Sequence, residues 1–293
     1  MSTPPDAPLA DAPHSSSAST GDPATGDLAA VFDLEPLKPD AWLGRGPDLG
    51  WGRIYGGLIV AQALRAATLS VPEGRRVHSL HAYFVRAGSE QRPVLFEVDR
   101  VRDGRSFSTR QVVASQEPGA ILNLIASFHD DEPDALDSPR APAPPDVPAP
   151  EDVPPVATDL LFEHRIVRRA RHGGEETTTW LRAVGDLGDD PAVHACALAY
   201  LSDEDPLGVA VADLATLGPD WGADGWDSVM AASLDHAVWF HRPVRADEWL
   251  LFSVSGHGMA NSRGLAVARV FTTDGLHVAT VAQEGLGRLR HLS

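Results

Sequence analysis

One cysteine, Cys196, is all that this chain of 293 residues contains. A lone thiol excludes an intramolecular disulfide and fits a reducing compartment. In its Ala/Val/Leu-rich surroundings it reads as a buried structural residue rather than a nucleophile. No apolar run reaches the roughly 18 residues of a membrane-spanning helix. The N-terminus also lacks the basic and then apolar regions of a secretory signal, so no membrane insertion and a cytoplasmic location are expected. Positive charge is short: 24 Lys and Arg stand against 41 Asp and Glu, a formal net charge of −17. That balance argues against a nucleic-acid partner, which needs a basic face, while a few local arginines can still serve a phosphorylated ligand.

Several chemical signatures are missing as well. There is no Gly-x-Ser-x-Gly, and so no serine-nucleophile elbow. There is no His-Glu-x-x-His and no paired Cys-x-x-Cys, so neither a metal nor a bound cofactor is expected. Gly44-x-Gly46 and Gly50-x-Gly52 lack the third glycine and the preceding strand of a dinucleotide fingerprint and read as turn glycines. His78 and His81, like His236 and His241, are spaced so that on a strand the two side chains point to opposite faces.

What is present is a repeat. Tyr83-Phe84-Val85-Arg86 answers to Trp239-Phe240-His241-Arg242 at an offset of 156 residues. At the same offset Val94–Val98 answers to Leu250–Val254, Gly119 to Gly275, and Ala126-Ser127 to Ala282-Gln283. Each copy is much longer than a solenoid repeat, so the chain reads as two copies of one domain in tandem. The 43% of hydrophobic residues is enough for a packed core.

Composition marks the boundaries. Residues 1–27, rich in Pro, Ala, Ser and Thr, read as a disordered tail. Residues 130–156, with repeated prolines and acids, read as a semi-rigid linker between halves at 28–129 and 157–293. In the first half Leu58–Ala67 is apolar nearly all round and reads as a buried helix, followed by strands near Val77–Arg86, Pro93–Asp99, Ser106–Ser115 and Ala120–Phe128. The second half repeats the plan with a helix over Ala192–Leu201, introduced by Pro191, and strands near Ser233–Arg242, Glu248–Gly256, Arg263–Thr272 and His277–Gly285. Residues 204–231 have no counterpart in the first copy. The class is α+β: a helix hydrophobic all round must be wrapped, and a curved antiparallel sheet does so.

The second copy carries polar residues that the first lacks: Ser233, Asp235 and His236 at the start of one strand and Gln283 near the end of another, with Asp203 at the end of the helix. An acid, a hydroxyl and an amide around one cavity can hold a water, the carboxylate taking its proton. By residue type alone, Asp203 in its Ser-Asp-Glu-Asp run reads first as a solvated helix-end acid.

His78–Phe84, Arg102–Phe107 and Ala126–Phe128, with Ser233–His236, Trp239–Pro243, Ser262–Gly264 and Gln283–Gly285, resemble the acyl-CoA thioesterase II (TesB-like) family from about residue 30 to the C-terminus. The resemblance implies two fused hotdog domains, each a long helix wrapped by an antiparallel sheet, and hydrolysis of fatty acyl-CoA to free acid and CoA. It implies Asp203, Ser233 and Gln283 as the set that activates water, with Asp235 and His236 as supporting residues. The start of the first helix, Gly56-Gly57, offers free N–H groups to an oxyanion or phosphate, and Arg53, Arg105 and Arg263 are candidates for the CoA phosphates. Ser233 stands where threonine is common in the family, and Leu58 where glutamine is common. A homo-oligomer is expected. The alternatives are a double-hotdog protein that binds an acyl thioester or lipid without cleaving it, and a hotdog enoyl-CoA hydratase using Asp235-His236.

Overall fold

The computed structural model describes residues 27–132, 142–158, 160–170, 175–216 and 229–290. The expected tail therefore lies outside the described residues except for Asp27, as do residues 133–141 of the linker and 217–228 of the segment between helix and strand. Asp27 caps a short helix, α1 (Leu28–Val31), its Oδ1 accepting from the Ala29 N–H at 2.9 Å.

The first half contains β1 (Glu35–Lys38), β2 (Ala41–Gly44), α2 (Gly56–Thr68), β3 (Arg75–Phe84), β4 (Val94–Asp103), β5 (Phe107–Gln116) and β6 (Gly119–Asp130). The second contains β7 (Phe162–Arg168), β8 (Glu176–Ala183), α3 (Pro191–Leu201), α4 (Pro206–Ala210), β9 (Val229–Ser233), β10 (Asp235–Phe240), β11 (Leu250–Ala260), β12 (Arg263–Thr272) and β13 (His277–Leu289). The strands form one antiparallel sheet in the order β1-β2-β4-β5-β6-β3-β10-β13-β12-β11-β8-β7, and β9 also pairs with β13. Both halves are thus a helix against an antiparallel sheet, the tandem hotdog arrangement.

The halves meet at β3 and β10. His81 pairs with Ala237, and these two are 156 residues apart. They are each other's counterparts in the repeat, so a pseudo-twofold axis runs through this pair and makes the two sheets continuous.

Local chemistry accounts for the helices. Asp190 caps α3, its Oδ1 accepting from the Ala192 N–H at 2.9 Å, and Pro191 takes the first-turn position where its missing N–H leaves nothing unsatisfied. Burying Ile59, Val60 and Leu64 of α2 stabilises the fold by about 1.5–3 kcal/mol each. The one polar residue buried on α2, Gln62, donates through Nε2 to the carbonyls of Val31 and Arg45 at 2.8 and 2.7 Å.

The two helices touch end to start. A Cβ on Gly57 would stand 2.3 Å from the Tyr200 carbonyl oxygen, so only glycine lets the first turn of α2 approach the last turn of α3. Residues 142–156 contain a single 3-10 turn, Pro150–Asp152, and are docked on the second half: Trp180 Nε1 donates to the Pro148 carbonyl at 3.0 Å, and Val153 packs with Trp180, Leu251 and Phe271.

The segment after Asp203 is also built into the fold. α4 lies on a floor of glycines: a Cβ at Gly264 would fall 1.8 Å from the Ala210 carbonyl oxygen, and one at Gly285 2.6 Å from Leu207 Cδ1. The strand expected from Ser233 to Arg242 is interrupted at Leu234, separating β9 from β10. No helix among the described residues is long and apolar enough to cross a membrane.

Candidate active site

The N-terminus of α2, the C-terminus of α3 and the break between β9 and β10 converge on one cavity of about 150 Å³, lined among others by Gly56, Ile59, Phe84, Asp203, Leu207 and Ser233. Asp203 is 7% exposed. Burial pushes its carboxyl up to about 7, opposed by the Gln283 amide and then by the Gly57 backbone N–H. The positive end of the α2 dipole lies on the same side of the carboxylate. Oδ1 is buried with no hydrogen-bond partner among the described residues, an unsatisfied acceptor that adds to the cost of the charged form.

Gln283 is fully buried and central. Its Nε2 donates to Ser233 Oγ at 2.7 Å, and its Oε1 lies 2.5 Å from His236 Nδ1. Asp203 and Ser233 both present acceptors, so the amide NH₂ must face them, which leaves Oε1 to accept from the His236 Nδ1–H. His236 is then the Nδ1–H tautomer, and its Nε2 lies 2.8 Å from Ser202 Oγ, whose hydroxyl is shared with the Ala199 carbonyl at 3.0 Å. Burial holds His236 down at about 4 despite the Gln283 hydrogen bond, so it is neutral at physiological pH. The chain Ser202–His236–Gln283–Ser233 fixes the amide in one orientation.

The structure brings Asp203, Ser233, Gln283, Gly56, Gly57 and His236 together, and Arg53 lines the same cavity. Gly57 is turned to Asp203, which leaves Gly56 as the helix-start residue on the cavity. Asp235, Arg105 and Arg263 lie elsewhere. Asp235 Oδ1 accepts from the Glu284 N–H at 2.7 Å, supplying a ladder acceptor where the strand is broken at Leu234. Arg263 is paired with Glu284 at 3.0 Å, on the sheet face opposite Gln283, because neighbouring strand residues alternate. Arg105 sits in the turn between β4 and β5, its carbonyl accepting from Arg75 at 3.0 Å.

The hydratase alternative loses its residues here. Asp235 and His236 are adjacent on β10 and face opposite sides, and neither lines the cavity. Sequence reasoning did not single out Ser202, Leu207 or Arg86. Ser202 adjoins Asp203 and was legible only as a helix-end hydroxyl; Arg86 lay within the repeat but had a counterpart, Arg242, and so drew no contrast.

A family model described as acyl-CoA thioesterase matches residues 156–286, and one described as acyl-CoA thioesterase N-terminal domain matches residues 47–129. The chain is similar to human acyl-coenzyme A thioesterase 8, at 35% identity over 92% of each chain. It is similar to acyl-CoA thioesterase 2 of Haemophilus influenzae, at 31% identity over 89% of this chain and 97% of that one. Among solved structures, the acyl-CoA thioesterase II TesB2 of Mycobacterium marinum aligns with a TM-score of 0.78 and 36% identity, over 91% of this chain and 100% of that one.

Proposed function

The chain belongs to the acyl-CoA thioesterase family, and on that footing we propose that it hydrolyses fatty acyl-CoA to the free acid and CoA with a water activated by Asp203. The observation that carries this reading is the buried Asp203 carboxyl, raised to about 7, on one cavity with Ser233 and beside Gln283. A general base works best with a pKa near the working pH, because it is then ionised and still basic enough to take a proton.

Water held between the Asp203 carboxylate, whose Oδ2 lies beside Gly56 on the cavity, and the Ser233 hydroxyl attacks the thioester carbonyl carbon as the carboxylate takes its proton. The carbonyl oxygen becomes an oxyanion, stabilised by preorganised donors; the Gly56 N–H at the start of α2 is the candidate. Collapse breaks the carbon–sulfur bond, and the leaving thiolate receives the proton from Asp203. Gln283 positions Ser233 and the carboxylate, and His236 locks Gln283. No step requires a metal or a covalent acyl-enzyme. A cytoplasmic setting is supported by the single buried thiol, and a homo-oligomer by the exposed Tyr83, Ile125 and Leu265 on the outer sheet face.

The test is thiol release from a series of acyl-CoAs of increasing chain length. Turnover establishes the hydrolase; tight binding of every member without thiol release would sink it in favour of a binding protein. The pH dependence follows from the site. Asp203 must be ionised to act, so kcat is expected to rise with pH through about 7 and to be lost below it. His236, with Nδ1 3.9 Å from Asp203 Oδ1, stays neutral over that range. Glu204 is raised by burial and by Asp205, and Asp205 by burial, so their titration broadens the limb. A kcat profile flat from pH 5.5 to 8 would show that Asp203 is not the base.

A further inference from the structure

Two cationic side chains line the cavity, Arg53 and Arg86, and Asp203 is its one acid among the described residues. Arg86 lies two residues beyond the end of β3 and is exposed, whereas Asp203 is buried. A cavity touched by both runs from the interior to the surface, with Arg86 at its open end. The arginines elsewhere on this acidic protein are largely committed: Arg75, Arg100, Arg110, Arg182 and Arg245 each meet a carboxylate. The Arg86 guanidinium has no hydrogen bond or ion pair among the described residues.

Room has been left for it. A Cβ on Gly119, the first residue of β6, would lie 2.8 Å from Arg86 Nη1. The repeat sharpens the point, because Arg242, the counterpart of Arg86, is spent on structure: its Nη1 donates to the His277 carbonyl at 2.9 Å. One copy uses this arginine to hold backbone; the other leaves it free at the mouth of the cavity.

We propose that Arg86 binds the phosphate-bearing end of the acyl-CoA substrate and sets its affinity. This rests on the hydrolase reading above. The thioester must reach Asp203 at the inner end, while the nucleotide, too large and polar to enter, stays at the rim. A protein with a formal net charge of −17 repels a polyanion, so an unpaired guanidinium at the opening supplies the local attraction that binding needs. Guanidinium meets phosphate through two parallel hydrogen bonds, which lysine cannot reproduce.

The experiment compares Arg86→Ala and Arg86→Lys with the unaltered protein on three substrates with one acyl group: acyl-CoA, its 3′-dephospho form and the uncharged acyl-pantetheine. Arg86→Ala is expected to raise KM for acyl-CoA about tenfold, the scale of one charge-assisted hydrogen bond. Its kcat should change little, KM for acyl-pantetheine should stay unchanged, and lysine should restore part of the loss. Loss of the effect with the dephospho substrate assigns the 3′-phosphate; its retention assigns the diphosphate. Gly119→Ala, which crowds the guanidinium, should shift KM in the same direction. An equal rise with acyl-pantetheine, no rise with acyl-CoA, or a loss confined to acyl groups ending in a carboxylate would each overturn the proposal. Failure of the unaltered protein to release thiol from any of the three would instead overturn the hydrolase reading.

Discussion

Asp203→Asn is expected to lower kcat for acyl-CoA hydrolysis by about 10³-fold, within the range for losing a general base, while leaving KM nearly unchanged. Asparagine keeps the shape and can still meet the Gly57 N–H, but it cannot take a proton from water. Thiol release under single-turnover conditions checks the chemical step alone. A residual rate within tenfold of the unaltered protein would move the base elsewhere, and no other acid lines the cavity among the described residues.

The same substitution has a second, opposite consequence. The Asp203 carboxyl rises from 3.8 to about 7 on folding because burial penalises its charged form. Such a group favours the native state below its unfolded pKa, and that contribution is lost as pH rises through the folded one. Between about pH 4 and 7 the unaltered protein should therefore lose up to about 1.4 kcal/mol per pH unit through this group. Asp203→Asn carries no such charge, so its stability relative to the unaltered protein should increase from pH 4 to pH 8, read from denaturant midpoints at both ends. An inactive variant that is more stable at pH 8 indicates a carboxylate kept in an unfavourable place for its chemistry.

Much of this was legible before the structure, for identifiable reasons. The buried helices and the long central strands follow from hydrophobic patterning, and the repeat exposed Ser233 and Gln283 because it offers Val77 and Ser127 in their places. Asp203 lies outside the repeat register and took its meaning from resemblance, then from burial against the start of α2. β1, β2, β7 and β8 escaped notice. β1 is four exposed residues including Pro36, as suits an edge strand, and β7 interleaves charge with apolar residues. The relay through Ser202 and His236 joins residues 34 apart whose contact no local pattern announces. The glycines under α4 read as strand punctuation, though their purpose is the close approach of a helix.

Two adjacent glycines at the start of α2 should respond differently to the same added methyl. At Gly57 the new Cβ would meet the Tyr200 carbonyl oxygen at 2.3 Å and the Tyr55 ring at 2.6 Å. Backbone cannot step aside, so α2 and α3 must separate, and Gly57→Ala is expected to cost about 3 kcal/mol or more, at the upper end of overpacking effects. At Gly56 the nearest atom is Asp203 Oδ2 at 2.5 Å, the tip of a side chain. Gly56→Ala should therefore lower stability by less than about 1 kcal/mol, since a side-chain tip can rotate away. In the proposed mechanism that rotation takes the carboxylate off the water, and a displacement of about 1 Å is enough for roughly a 10²-fold loss in kcat. Denaturant unfolding and thiol-release kinetics on the two variants check the pair. Equal destabilisation with equal activity loss would mean that the glycines serve helix packing alone. The expected split, with stability falling at Gly57 and kcat at Gly56, would place the proposed base in direct contact with the joint between the two repeats. That outcome would also give a physical reason for the tandem chain: the first copy supplies the helix start against which the proposed base of the second copy is held.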